Sequence, residues 1–123
     1  MQLGQSTISP RSKLSQLKIE LSIEKYFQNK EYASYRLTHG QFNYAFFFRD
    51  DDITSISMTL REYMPTSWND STEEKLLIQK LQHDKVLNKW FPDGNNIFNW
   101  GTVTSMFDKK SWISSIWISY STE

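Results

Sequence analysis

The chain has 123 residues, with fourteen basic and fourteen acidic side chains and no cysteine. That length supports one hydrophobic core rather than two. Balanced charge gives no field to gather the chain onto a nucleic-acid backbone, and the lack of cysteine excludes disulfides, thiolate metal sites and a cysteine nucleophile.

Hydrophobic residues make up only 38% of the sequence, but five Trp, six Tyr and eight Phe supply the missing apolar mass. Each ring buries about 150–250 Å², and such a content sets the chain apart from disordered sequences. Charge is spread unevenly: residues 1–30 hold five basic and two acidic side chains, and residues 31–64 hold three basic and five acidic. A solvated surface accounts for this asymmetry.

The N-terminal stretch is rich in Gln, Ser and Thr and contains no apolar run of the kind a signal peptide needs. Nothing later approaches eighteen continuous apolar residues. The expectation is a cytoplasmic protein whose residues 1–10 form a loose tail ending at Ser9-Pro10. From there Leu17, Ile19, Leu21 and Ile23 alternate as in a strand, while Leu14, Leu17 and Leu21 also fit one helical face. No Gly or Pro interrupts residues 11–30, and their Lys, Glu, Gln and Leu content favours a helix.

From Tyr32 to Arg49 the residues turn aromatic and β-prone, with a break at His39-Gly40. Phe42, Tyr44, Phe46 and Phe48 define one face of a strand, Asp50-Asp51-Asp52 make a polar turn, and an alternating run follows, so residues 42–62 read as a β-hairpin that Pro65 ends. Because Ala45 and Phe47 are apolar too, the first strand is expected to be central and covered on both sides.

Ser71 with Glu74 three residues on is a capping box, and predicts a helix from about Thr72 toward Trp90. Its Leu77, Ile78 and Leu81 point one way and Val86, Leu87, Trp90 and Phe91 another, which a kink or break near His83-Asp84 would reconcile. After the turn cluster Pro92–Asn96, residues 98–107 and 112–120 form a second hairpin about Asp108–Ser111. The expected fold is α+β: a single domain over 1–123, its antiparallel sheet of two β-hairpins packed with an N-terminal and a central helix in the order α-β-β-α-β-β.

Candidate chemistry is sparse. Three adjacent carboxylates at Asp50, Asp51 and Asp52 could hold a hard cation, but no calcium-loop glycine or distal Glu follows, and a solvated turn explains them. His39 and His83 are the only imidazoles and have no ligand-spaced partner. Glu62, Asp70, Glu73 and Glu74 offer carboxylate pairs only in the sense that any chain with fourteen acids does. No phosphate-binding loop, nucleophile elbow or metalloprotease motif is present. The sequence therefore predicts no catalytic, metal or cofactor site, and a binding protein rather than an enzyme. Trp100, Trp112 and Trp117, with Phe98, Phe107 and Tyr120, suggest as the alternative a base-stacking platform for single-stranded nucleic acid, though core packing explains them better where only Lys109 and Lys110 supply charge.

The last segment, Asn99-Trp100-Gly101-Thr102-Val103-Thr104-Ser105-Met106-Phe107-Asp108 followed by Ile113 to Tyr120, resembles the terminal hairpin of small bacterial immunity proteins. These neutralise polymorphic or contact-dependent growth-inhibition toxins. The resemblance implies a cytoplasmic inhibitor that blocks the active site of a cognate toxin, most often a nuclease, through an interface of about 1,200–2,000 Å² aided by opposite charge. A nuclease is basic where it holds its substrate. The partner-binding residues expected on that reading are Asp50, Asp51, Asp52 and Glu62 on the acidic hairpin, with Tyr63 and Trp68 as aromatic anchors. No membrane partner is expected.

Overall fold

The computed structural model describes residues 2–3, 6–61, 73–108 and 113–121. Eleven elements follow one another: strands β1 (Gln2–Leu3) and β2 (Ser6–Thr7), helix α1 (Leu14–Glu20), strands β3 (Glu24–Gln28), β4 (Tyr32–His39), β5 (Phe42–Arg49) and β6 (Asp52–Leu60), helix α2 (Glu73–Trp90), and strands β7 (Ile97–Phe98), β8 (Gly101–Asp108) and β9 (Ile113–Tyr120). Strands β3 to β9 form one seven-stranded antiparallel sheet in the order β3-β4-β5-β6-β9-β8-β7, and β1 and β2 pair separately. The chain lays down four neighbouring strands, crosses by α2, and completes the sheet from β6 outward.

This is a mostly-β protein, which corrects the expected α+β fold with the order α-β-β-α-β-β. The antiparallel pairs β5–β6 and β8–β9 form, but not as two separate hairpins: residues 98–107 divide between β7 and β8, and β3, β4 and β7 extend both pairs into one seven-stranded sheet. Residues 11–30 hold only the seven-residue α1 before turning into β3. Their dual periodicity resolves as a division of labour: Leu14 and Leu17 enter the core on the helix, while Ile19 is 87% exposed.

Alternation along the strands explains where the core lies. Phe42, Tyr44, Phe46 and Phe48 of β5 are buried, as are Ile53, Ile56, Met58 and Leu60 of β6. A bulge opposite Phe47/Phe48 shifts the β6 pattern by one residue after Ile53. Across the register these positions continue into Tyr35 on β4, Ile116 and Ile118 on β9 and Val103 on β8. Leu14 and Leu17 of α1 join this same cluster, with Val86 and Leu87 of α2 packed against it. So do Leu3 and Ile8, within the stretch read as a loose tail.

Helix α2 is continuous from Glu73 to Trp90, so there is no break at His83-Asp84. The two apolar sets do point different ways, and the helix settles the conflict by exposing one of them. Leu76, Gln79 and His83 are buried against the sheet, whereas Leu77, Ile78 and Leu81 face solvent. A buried polar residue needs a partner, and His83, with no exposure, has two. Its Nε2 accepts the Leu60 N–H at 3.1 Å, and its Nδ1 lies 2.9 Å from Ser114 Oγ. Pairing between β6 and β9 extends to Met58↔Ile116, so the imidazole takes over the backbone donor two residues past it.

Candidate functional site

The acidic turn is held by its own chain. In the two-residue connection between Arg49 and Asp52, Asp50 has φ 54°, a left-handed conformation that Asp tolerates better than most residues and that tight hairpins favour. Its N–H donates to the Glu31 carbonyl. Asp51 closes the start of α1: the Leu14 N–H donates to its carbonyl, the Ser15 N–H to its Oδ1 at 2.9 Å and the Ser15 hydroxyl to its Oδ2 at 3.0 Å. The helix's own N-cap residue, Lys13, offers no capping side chain, so a residue from another element satisfies the orphan donors. Asp52 forms an ion pair with Lys13, whose ammonium is held above its usual range by that hydrogen bond and charge.

Of the three carboxylates of this turn, only that of Asp50 has no described partner. Glu62, Tyr63 and Trp68 lie outside the described residues, as do the capping-box Ser71, Lys109, Lys110 and Trp112. The rings of the last hairpin do not share a face. Trp100 stacks on Phe98 at 5.0 Å and leans on Tyr120 at the margin of the core, and burial pushes the Tyr120 hydroxyl up to about 12. Trp117 lies on the opposite face of the sheet, one register position from the core-facing Ile116 and Ile118.

That opposite face is the feature the sequence reading missed. Among the described residues both helices and the β1–β2 pair bury their side chains in the core on the other side, so none of these elements supplies the second cover expected over β5. Antiparallel sheets commonly leave one face to water, and this one carries small hydroxyl residues across its width. One row runs Arg36, Ala45, Ser57, Trp117 and Thr104 from β4 to β8, and the next runs Ser34, Phe47, Ser55, Ser119 and Thr102.

Within this polar field Phe47 and Trp117 stack at 5.2 Å between centroids, 24° from parallel. They belong to strands separated by β6, so the rings must lean toward each other over Ser55 and Ser57. Strand spacing of about 4.8 Å would otherwise hold them roughly twice that far apart. Small side chains on β6 make the arch possible.

Beside it a groove of about 500 Å³ is lined by Glu24, Arg36, Thr38, Asn43, Ala45 and Thr59, among others. The Arg36 guanidinium sits 3.5 Å over the Tyr26 ring, and Thr38 donates to Asn43 at 2.7 Å. Phe27 is exposed at the edge of the same face. Its alternating hydroxyls were legible as the polar half of β6, but two lone aromatic residues 70 positions apart gave no sign that they would meet.

Chemically, this surface offers apolar anchors ringed by hydroxyl donors and acceptors, with few charges. The described residues contain no group of three or more His, Asp or Glu able to hold a metal ion, and no described helix is long and apolar enough to cross a membrane. Comparisons with protein-family models, curated proteins and solved structures give no match to this chain.

Proposed function

We propose that the protein is a binding module that holds a partner protein against the open face of its sheet. The observation that carries this reading is the Phe47–Trp117 pair, two large rings stacked and only partly buried at the middle of a face whose central rows are mostly Ser, Thr and Ala. Energetically dominant interface residues are commonly Trp and other large side chains at the centre of a contact, ringed by near-neutral polar groups that exclude water.

The resemblance of the last hairpin to immunity proteins makes a bacterial toxin domain, a nuclease first among them, the partner to test, with neutralisation in the cytoplasm as the role. On this proposal the contact lies on the open face rather than on the acidic turn, because Asp51 and Asp52 already serve Ser15 and Lys13. The single-stranded nucleic-acid reading is less favoured: the described charges of this face include Glu24 beside Arg36 and Arg49, short of the basic groove such binders use.

Co-expression with a toxin domain encoded beside this chain tests the proposal. A complex that survives size exclusion, and protection of the host cell, are the expected results. Absence of both, or a salt-sensitive shift of short single-stranded oligonucleotides in their place, would overturn it.

A further inference from the structure

The face of α2 turned away from the sheet has a pattern of its own. Glu74, Leu77, Ile78, Leu81 and Lys85 are all exposed and fall at i, i+3, i+4, i+7 and i+11, one stripe of a helix. The three aliphatic side chains are 51%, 43% and 53% exposed and, with Glu74, line a shallow groove of about 460 Å³. The opposite face holds buried Gln79 and His83. The helix thus presents to water the residues a solitary helix would bury, and anchors itself by the hydrogen bonds of His83.

We infer that this stripe is the contact between two copies of the chain, paired by antiparallel packing of α2 about a two-fold axis. The argument is its symmetry of charge. The stripe is acidic at its N-terminal end, apolar in the middle and basic at its C-terminal end. Two such helices laid antiparallel, with Ile78 and Leu81 at the crossing, bring each Glu74 to the second copy's Lys85. A two-fold interface must be complementary to itself, and this stripe is. A parallel arrangement would set Glu74 on Glu74 and Lys85 on Lys85. Since α2 packs on the core side of the sheet, pairing through its outer stripe leaves both open sheet faces outward, so the inference stands apart from the proposed function.

Sedimentation equilibrium of the full chain tests it. The expected result is a reversible dimer with a dissociation constant of roughly 10 µM, as suits a small interface. Leu81→Glu, at an exposed position, should abolish the dimer while circular dichroism stays unchanged. Glu74→Lys or Lys85→Glu alone should weaken it roughly tenfold through like-charge contacts, and the two together should restore it to within about threefold. A chain that is monomeric at every concentration, a dimer indifferent to Leu81→Glu, or a double variant no stronger than the single ones would each overturn the inference.

Discussion

His83 Nε2 accepts the backbone N–H of Leu60 at 3.1 Å while its Nδ1 lies 2.9 Å from Ser114 Oγ, so one imidazole ties α2 to β6 and β9. An acceptor at Nε2 requires the neutral ring with its proton on Nδ1, which donates to the Ser114 hydroxyl. Burial, only partly offset by Asp84 and reinforced by Lys80, lowers the His83 pKa to about 4.

The sign of the pH dependence follows. An unfolded histidine titrates near 6.5, so between pH 6.5 and about 4 the unfolded state binds the extra proton. His83's contribution is therefore present above pH 6.5 and is lost as the pH falls toward 4, in total roughly 3 kcal/mol. Urea unfolding of the wild type at pH 7.0 and 4.5 should show most of that loss, about 2 kcal/mol, and His83→Gln, with no titrating group, should flatten it. Equal slopes for the two proteins would mean that His83 is not the titrating site.

Removing the cap on α1 offers a second check. Asp51→Ala leaves the Ser15 N–H and hydroxyl without their acceptor, with an expected loss of about 1 kcal/mol in denaturant unfolding, and Asp51→Asn should keep part of it. Unchanged stability in Asp51→Ala would return this carboxylate to the partner surface.

Gly101 has φ +151°, and a Cβ there would lie 1.9 Å from the backbone oxygen of Ser119 and 2.9 Å from its carbonyl carbon. Backbone cannot step aside as a flexible side chain can. Gly101→Ala should therefore destabilise by at least about 3 kcal/mol, seen as a fall in melting temperature, whereas Gly94→Ala meets no atom within 4 Å and suffers only from its positive φ.

Legibility in the sequence followed the strength of local alternation. The β5–β6 pair stood out because Phe42–Phe48 and Ile56–Leu60 each keep an apolar face of period two and a polar turn joins the strands. Strand β3 was hidden because Glu24–Gln28 is an edge strand exposed at every residue, with no apolar face to read. Helix α2 was legible in extent but not in orientation. Its buried face is chosen by hydrogen bonds of His83 to residues 23 and 31 positions away, which no periodicity reports. The candidate site failed for a related reason. Three adjacent Asp residues looked like a free acidic surface, but Asp51 and Asp52 find Ser15 and Lys13 some 36 and 39 residues upstream, and Phe47 finds Trp117 only once β9 has inserted beside β6.

The open face is tested most directly by calorimetric titration of the toxin domain with Trp117→Ala, Phe47→Ala and Asp50→Ala. The account predicts that each ring variant, folded by circular dichroism, binds at least about thirtyfold more weakly, while Asp50→Ala changes affinity less than about threefold. Folded ring variants that bind as tightly as the wild type, with affinity lost in Asp50→Ala, would contradict it and place the contact on the acidic turn.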